Sequence, residues 1–411
     1  MDPVAVTPKP PVALYVHVPF CVARCPYCDF VVYAGAEARG PRARTSQLFE
    51  GLAVELGLRA DAVGAAFAEM ARAPLRSVYL GGGTPSLMPP AQVARLIGLA
   101  RGRFGLAPDA EITLEANPGP DEVGDMAAFA AAGVNRVSFG AQSFDPTELR
   151  RLGRRHTPAD IESAVRRTRD AGIASVNLDL LYDVPGQTEA SWARSLEAAL
   201  RLEPDHLSLY ALTLDDPDAE GLTGESGDHL ATPPGARRWR EKALADQDDD
   251  RAARQYEAAA VLLVASGWRH YEISNWARPG RESRHNLAYW LREPYEAIGP
   301  GAHAFDGRTR RWNVARMEPY LAALAASPPA PPTGGSETLD EPAAASERMI
   351  LALRLDAGVA AAWAADDRFR EHVAWALEAG LLEAFDAHGE PRLRLTLRGK
   401  LLSNELFARL L

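Results

Sequence analysis

All three cysteines of this 411-residue chain fall within eight residues, inside the stretch YVHVPFCVARCPYCDF at 15–30. Cys21, Cys25 and Cys28 read C-x3-C-x2-C. Pro19 and Pro26 disfavour helix around them, so the thiols ride on a loop that leaves a short apolar strand. Thiols so clustered in a chain that otherwise avoids cysteine point to metal or redox chemistry rather than to bridges. A structural zinc site closes its shell with four ligands, commonly from two C-x2-C pairs, and the sequence has no second pair; His17 is the nearby candidate for a fourth donor. Three thiolates suit a [4Fe–4S] cubane, in which each cysteine ordinarily holds one iron, and they leave the fourth iron open. The amino and carboxylate groups of S-adenosylmethionine can chelate an open iron. An electron passed into the adjacent sulfonium then breaks a carbon–sulfur bond and yields a 5′-deoxyadenosyl radical. Zinc with His17, and inert buried thiols, are the plainer readings of the same residues.

Other polar residues gather at the ends of apolar runs. GGGT at 81–84 follows SVYL, Glu115 and Asn117 close ITLEANP, Gln142 closes RVSFGAQ, Asp179 lies in SVNLDLLY and Tyr210 in HLSLYAL. Glycines after a strand let the backbone approach a ligand, although a tight strand-to-helix turn needs them equally. Glu115 can hold an ammonium or a ribose hydroxyl, or can be an exposed strand-end acid. Arg154 and Asp179 can bind a ligand or pair with each other, and Asn117 with Pro118 reads as loop geometry.

The elements that must position these residues follow from periodicity. From Leu14 to about residue 214, six short apolar runs alternate with Ala- and Leu-rich segments that are apolar at helical spacing. Such alternation predicts βαβ units and a parallel sheet. Polar residues at the C-terminal end of every strand favour a partial (βα)6 barrel, whose ligands sit at that face, over a flat sheet with one switch point. The predicted organisation is a barrel over 1–215, a connecting region over 216–325, and a C-terminal helical, winged-helix-like module over 326–411. The Pro/Gly/Ser-rich stretch at 325–337 reads as a linker, and the Asp cluster at 246–250 as the acidic first turn of a helix.

Composition sets the outer limits. The chain is 47% hydrophobic and 24% charged with a net charge of −10, which is ordinary for a soluble protein and unfavourable for a general nucleic-acid binder. No apolar run approaches the roughly 18 residues of a membrane span. The start, MDPVAVTPKPPVA, lacks the basic and apolar parts of a signal peptide, so the expected location is the cytoplasm.

YVHVPFCVARCPYCDF together with LGGGTPS resembles the radical S-adenosylmethionine superfamily, and within it the oxygen-independent coproporphyrinogen III oxidase-like branch. The resemblance implies a [4Fe–4S] cluster on Cys21, Cys25 and Cys28. It also implies contacts to S-adenosylmethionine, or to a second adenosyl group, from Tyr15, Gly82, Gly83, Thr84, Glu115, Gln142, Arg154 and Asp179. Two functions compete. The decarboxylases of the branch are similar to C-x3-C-x2-C-x-C and carry a longer N-terminal segment; here the last cysteine's place is Phe30 and 20 residues precede Cys21. RHNLAYW at 284–290 resembles instead the H-N-x-x-Y-W motif of the haem chaperone subfamily HemW, with His285, Asn286, Tyr289 and Trp290 as haem contacts. An imidazole can ligate haem iron, and neighbouring aromatics suit a flat apolar macrocycle. The plainer reading is a core-facing histidine with aromatic packing. His303 in GPGAHAF is a second, weaker candidate, and Trp276 and Trp312 read as packing. The expected function is haem binding and transfer to respiratory haem proteins, with the decarboxylase as the alternative. The resemblance also allows a homodimer and a peripheral membrane contact.

Overall fold

The computed structural model describes residues 7–38, 44–214, 217–364 and 366–411. Six strands lie side by side in chain order and in parallel: β1 (Ala13–Val18), β2 (Leu75–Gly82), β3 (Leu106–Ala116), β4 (Arg136–Gln142), β5 (Ser175–Tyr182) and β6 (His206–Ala211). Strand β5 shows why they form. Val176, Leu178 and Leu180 alternate with Asn177 and Asp179; the first set joins the main hydrophobic core and the second faces a polar lumen. Helices between the strands cover the apolar face and start on sequence-encoded caps. Thr157 and Asp160 cap each other's backbone at the helix Pro158–Asp170, and Thr188 and Ser191 do so at Glu189–Arg201. Asp248 caps the helix Asp249–Ala265, with the acidic first turn that the sequence suggested.

The sheet is wider than its six central strands. Later strands β7 (Arg269–Glu272), β8 (Asn275–Ala277), β9 (Tyr295–Ile298), β10 (His303–Phe305), β11 (Thr309–Asn313) and β12 (Thr333–Thr338) extend it to the order β12-β11-β10-β9-β1-β2-β3-β4-β5-β6-β8-β7 among the described residues. β9 joins β1 in parallel, and the other extensions are antiparallel. The last five residues, 333–337, of the stretch expected as a linker therefore belong to an edge strand. Its glycines serve packing there: a Cβ on Gly335 would lie 2.4 Å from the ring of Trp312. The expected boundary at 215/216 lies outside the described residues.

Beyond residue 340 the helix Glu341–Arg354 begins a second hydrophobic core. Met349 and Leu353 pack with Leu382, Leu393 and Leu406 around a three-stranded sheet of Val359–Ala360, Leu382–Ala387 and Glu390–Leu395. This module meets the main sheet through Arg354, 3.3 Å from the fully buried Glu272, and through Glu347, 2.5 Å from Arg292. Among the described residues no helix is long and apolar enough to cross a membrane.

Candidate functional site

The cysteine loop leaves β1 at the C-terminal mouth of the barrel and is held from three sides. From below, the buried His17 ring accepts or donates at both nitrogens: Nε2 is 2.8 Å from the Val31 carbonyl and Nδ1 is 3.0 Å from the Tyr15 hydroxyl. Burial lowers His17 to about 4, so the ring is neutral. This histidine buttresses the loop's exit and does not join the thiols. From beside, the backbone after β2 is stitched to the loop, with Gly83 N donating to the Val18 carbonyl and Thr84 N to that of Phe20. A Cβ on Gly83 would lie 2.7–2.8 Å from Val18 O and the Phe20 backbone. The closeness that glycine allows here is to the cysteine loop itself. From above, Arg240 on the helix Pro234–Leu244 donates to the carbonyls of Pro26, Tyr27 and Cys28, each at 3.1 Å.

The sulfur atoms of Cys21 and Cys25 enter one hydrogen-bonded chain. Thr84 Oγ1 donates to Cys21 Sγ (3.5 Å), Asn117 Nδ2 donates to Thr84 Oγ1 (3.0 Å), and Arg154 donates to Asn117 Oδ1, to the Gly140 carbonyl (2.7 Å) and to Cys25 Sγ (3.4 Å). Gln142, in left-handed backbone conformation at φ 66°, lies against the same Gly140. Asn117 is thus more than loop geometry: it joins the two sulfur-bound groups. Arg154 and Asp179 form no ion pair with each other among the described residues.

Deeper in the lumen, Glu115 accepts from the Tyr79 hydroxyl (2.7 Å) and from Gly82 N (2.8 Å). Burial in the barrel, reinforced by the charge of Asp179, raises Glu115 to about 7 against those two bonds and the cation of Arg136. Asp179 accepts from Asn177 (2.7 Å) and Ser138 (3.2 Å), and burial raises it too. A cation delivered to this region would meet the carboxyl groups of Glu115 and Asp179.

The donor set fits an iron–sulfur cube. Burial raises Cys21 to about 11 and Cys28 to about 12, and the neighbouring thiols reinforce both shifts, so thiolates at these two positions need a positive partner. Among the described residues no three His, Cys, Asp or Glu side chains are arranged to hold a single metal ion. In a cube each cysteine takes its own iron, so no shared shell is required. Cys21, Cys25 and Cys28 would hold the cluster, which would supply the electron for cleaving a carbon–sulfur bond of bound S-adenosylmethionine.

The H-N-x-x-Y-W helix, Arg284–Trp290, lies at the other end of the barrel. Its first amides are capped by Ser283 and by the carboxylate of Glu111 on β3. His285 is 1% exposed, with Nδ1 2.9 Å from Ser77 Oγ on β2 and Nε2 2.8 Å from the Tyr289 hydroxyl. Its ring lies 5.0 Å from that of Tyr79 and 6.3 Å from that of Tyr15. Burial and the charge of Arg136 lower His285 to about 3. The ring is a neutral plug with both nitrogens engaged, the core-facing arrangement with aromatic packing that the sequence also allowed. Tyr289 packs edge-on against Tyr295, and Asn286 is half-buried. Trp290 lines a cleft. His303 bonds Asp228 (2.8 Å) and stacks on Trp312, whereas Trp276 is wholly buried.

A barrel of parallel strands with three clustered thiols at its C-terminal mouth defines the radical S-adenosylmethionine class, and residues 15–199 match the Radical SAM superfamily model. The chain belongs, within that superfamily, to the family of heme chaperone HemW. It is 40% identical over 406 residues to the heme chaperone HemW of Mycobacterium tuberculosis (strain ATCC 25618 / H37Rv), spanning 98% of this chain and 96% of that one. It is 36% identical over 311 residues to the Escherichia coli (strain K12) protein of that name, spanning 75% and 74%. The solved coproporphyrinogen III oxidase of Escherichia coli superposes with a TM-score of 0.78 over 100% of this chain and 92% of its own, at 23% identity, which is a likeness of fold.

Proposed function

We propose that the protein is a haem chaperone: it binds haem and passes it to haem proteins, using a [4Fe–4S] cluster on Cys21, Cys25 and Cys28 with S-adenosylmethionine beside it. The observation that carries this reading is the likeness to a protein named a heme chaperone over 98% of the chain. The cofactor's methionine and adenosyl parts are assigned to the surface formed by Tyr15, Gly82, Gly83, Thr84, Glu115, Gln142, Arg154 and Asp179. Phe30, 58% exposed, stands where the decarboxylases carry a further cysteine. Recipients are respiratory haem proteins, met in the cytoplasm or at the membrane surface.

The test is anaerobic. The cluster is reconstituted, S-adenosylmethionine is added with haem or with coproporphyrinogen III, and the Soret band and porphyrin products are followed. Stoichiometric haem uptake without decarboxylation is expected. Multiple-turnover loss of propionate carboxyl groups would replace the chaperone by the oxidase.

A further inference from the structure

We infer that the haem seat is the cleft against Trp290, between the floor of the barrel and the C-terminal module, and that the ring is held there by its apolar faces and its propionates. This inference rests on the haem reading above. The cleft encloses about 770 Å³, within the roughly 300–1,000 Å³ range of small-molecule and cofactor sites. Its walls carry the two indoles Trp290 and Trp363 with Val12, Leu355 and Val359. Met70 and Leu291 reach it while 46% and 55% exposed, apolar surface that a flat apolar ligand would cover.

Charge points to the same occupant. Four cationic side chains, Lys9, Arg292, Arg348 and Arg392, reach the cleft beside Glu293 and Glu390, while Glu347 and Glu341 pair with Arg292 and Arg348 from outside its lining. Haem carries two propionates. Arg292 has a buried nitrogen, Nη2, without a hydrogen-bond partner, and Arg348 holds Glu341 only loosely at 3.6 Å. Arginine suits carboxylates because its planar fork matches them. Among the described residues no histidine or cysteine lines the cleft, and Met70 offers the one sulfur donor.

Position then says what happens to the ligand. Val12 precedes β1, Ala73 precedes β2 and Pro294 precedes β9, whereas Cys21 follows β1. The cleft and the cysteines occupy opposite ends of the parallel strands. Nine extended residues from Val12 to Cys21 span about 30 Å. A radical formed beside the cluster does not reach a ring bound below. Haem in this cleft is carried unchanged, and its affinity does not depend on the cluster.

The experiment titrates haem into the full chain, with and without the reconstituted cluster, and reads the Soret band. Leu291→Asp and Arg348→Glu change exposed or half-exposed side chains, so they leave the fold intact, checked by circular dichroism and by iron loading. Each should weaken haem binding about tenfold or more, since each removes an anchor from the ligand. Wild type should bind equally with and without the cluster. If both variants bind like wild type while His285→Gln alone abolishes the Soret shift, the cleft is the wrong seat although the chaperone reading stands. If wild type binds no haem in either state, the chaperone reading fails, and this inference with it.

Discussion

The cysteine loop and the H-N-x-x-Y-W helix are the two densest motifs of the chain, and the fold treats them in opposite ways. The loop is held mainly through its backbone, by Arg240, His17 and the strand-end glycines, and its sulfurs only accept, from Thr84 at Cys21 and from Arg154 at Cys25, so the thiols stay presented to a ligand. The helix is held through its side chains. His285 and Tyr289 bond each other and the β2 wall, and their rings fill the lower lumen with Tyr15 and Tyr79. A motif whose side chains are already engaged positions a neighbour. A motif whose backbone is engaged presents its side chains.

The largest effect should come from breaking the presenting motif. Replacing Cys21, Cys25 or Cys28 by Ala should abolish cluster loading, read as iron and sulfide per chain and as the broad visible absorbance after anaerobic reconstitution. Undiminished iron in any of the three would detach that cysteine from the site. Next comes Gly83→Ala. Its methyl would meet backbone atoms of Val18 and Phe20 that cannot move without shifting the loop. Loading should fall severalfold and stability by about 1–3 kcal/mol, the usual scale for a forced overlap. Loading equal to wild type would mean that the stitched backbone does not set the thiols' geometry.

A smaller effect is expected from Glu115→Gln. Raised to about 7, the carboxyl gains its charge as pH rises through neutrality. Binding of the cationic sulfonium cofactor to the cluster-loaded protein should therefore tighten between pH 6 and 8. The glutamine variant should bind about tenfold more weakly at pH 8 and show little pH dependence. Parallel profiles, followed by equilibrium dialysis, would take Glu115 out of the cofactor surface.

How much was legible follows from the same contrast. Strand β5 could be read from its alternation, and the thiols from a spacing that no packing argument requires. β10 and β11 could not be: HAF and TRRWN are short, their burial is uneven, and their pairing depends on neighbours far along the chain. Arg240 carries no local signal either, since RRWREK reads as a solvated helix until the fold brings it over the carbonyls of the loop. Asn117 looked like turn chemistry because, beside the local Glu122, the partners that tie it to the sulfurs, Thr84 and Arg154, lie 33 and 37 residues away. The choice between the two readings of His285 was out of reach for a related reason. Sequence spacing shows that His285 and Tyr289 share a helix face, and only packing shows that the face turns into a lumen.

That last point has a measurable consequence. A histidine kept neutral by burial binds no proton in the folded chain until about pH 3, whereas in the unfolded chain it takes one near 6.5. Its contribution to stability is therefore whole above pH 6.5. As pH falls from there toward 3, it is lost at about 1.4 kcal/mol per pH unit. His285→Gln keeps the shape of a polar side chain but loses one of the two hydrogen bonds and the ring packing, so at pH 8 it should be about 1–3 kcal/mol less stable than wild type. Because glutamine does not titrate, the gap should narrow as the solution is acidified and close near pH 5. Denaturant midpoints at pH 8, 6.5 and 5 make the comparison. A gap that stays constant across that range, or is absent at pH 8, would return the imidazole to the role of an accessible ligand and make the plug an accident of packing.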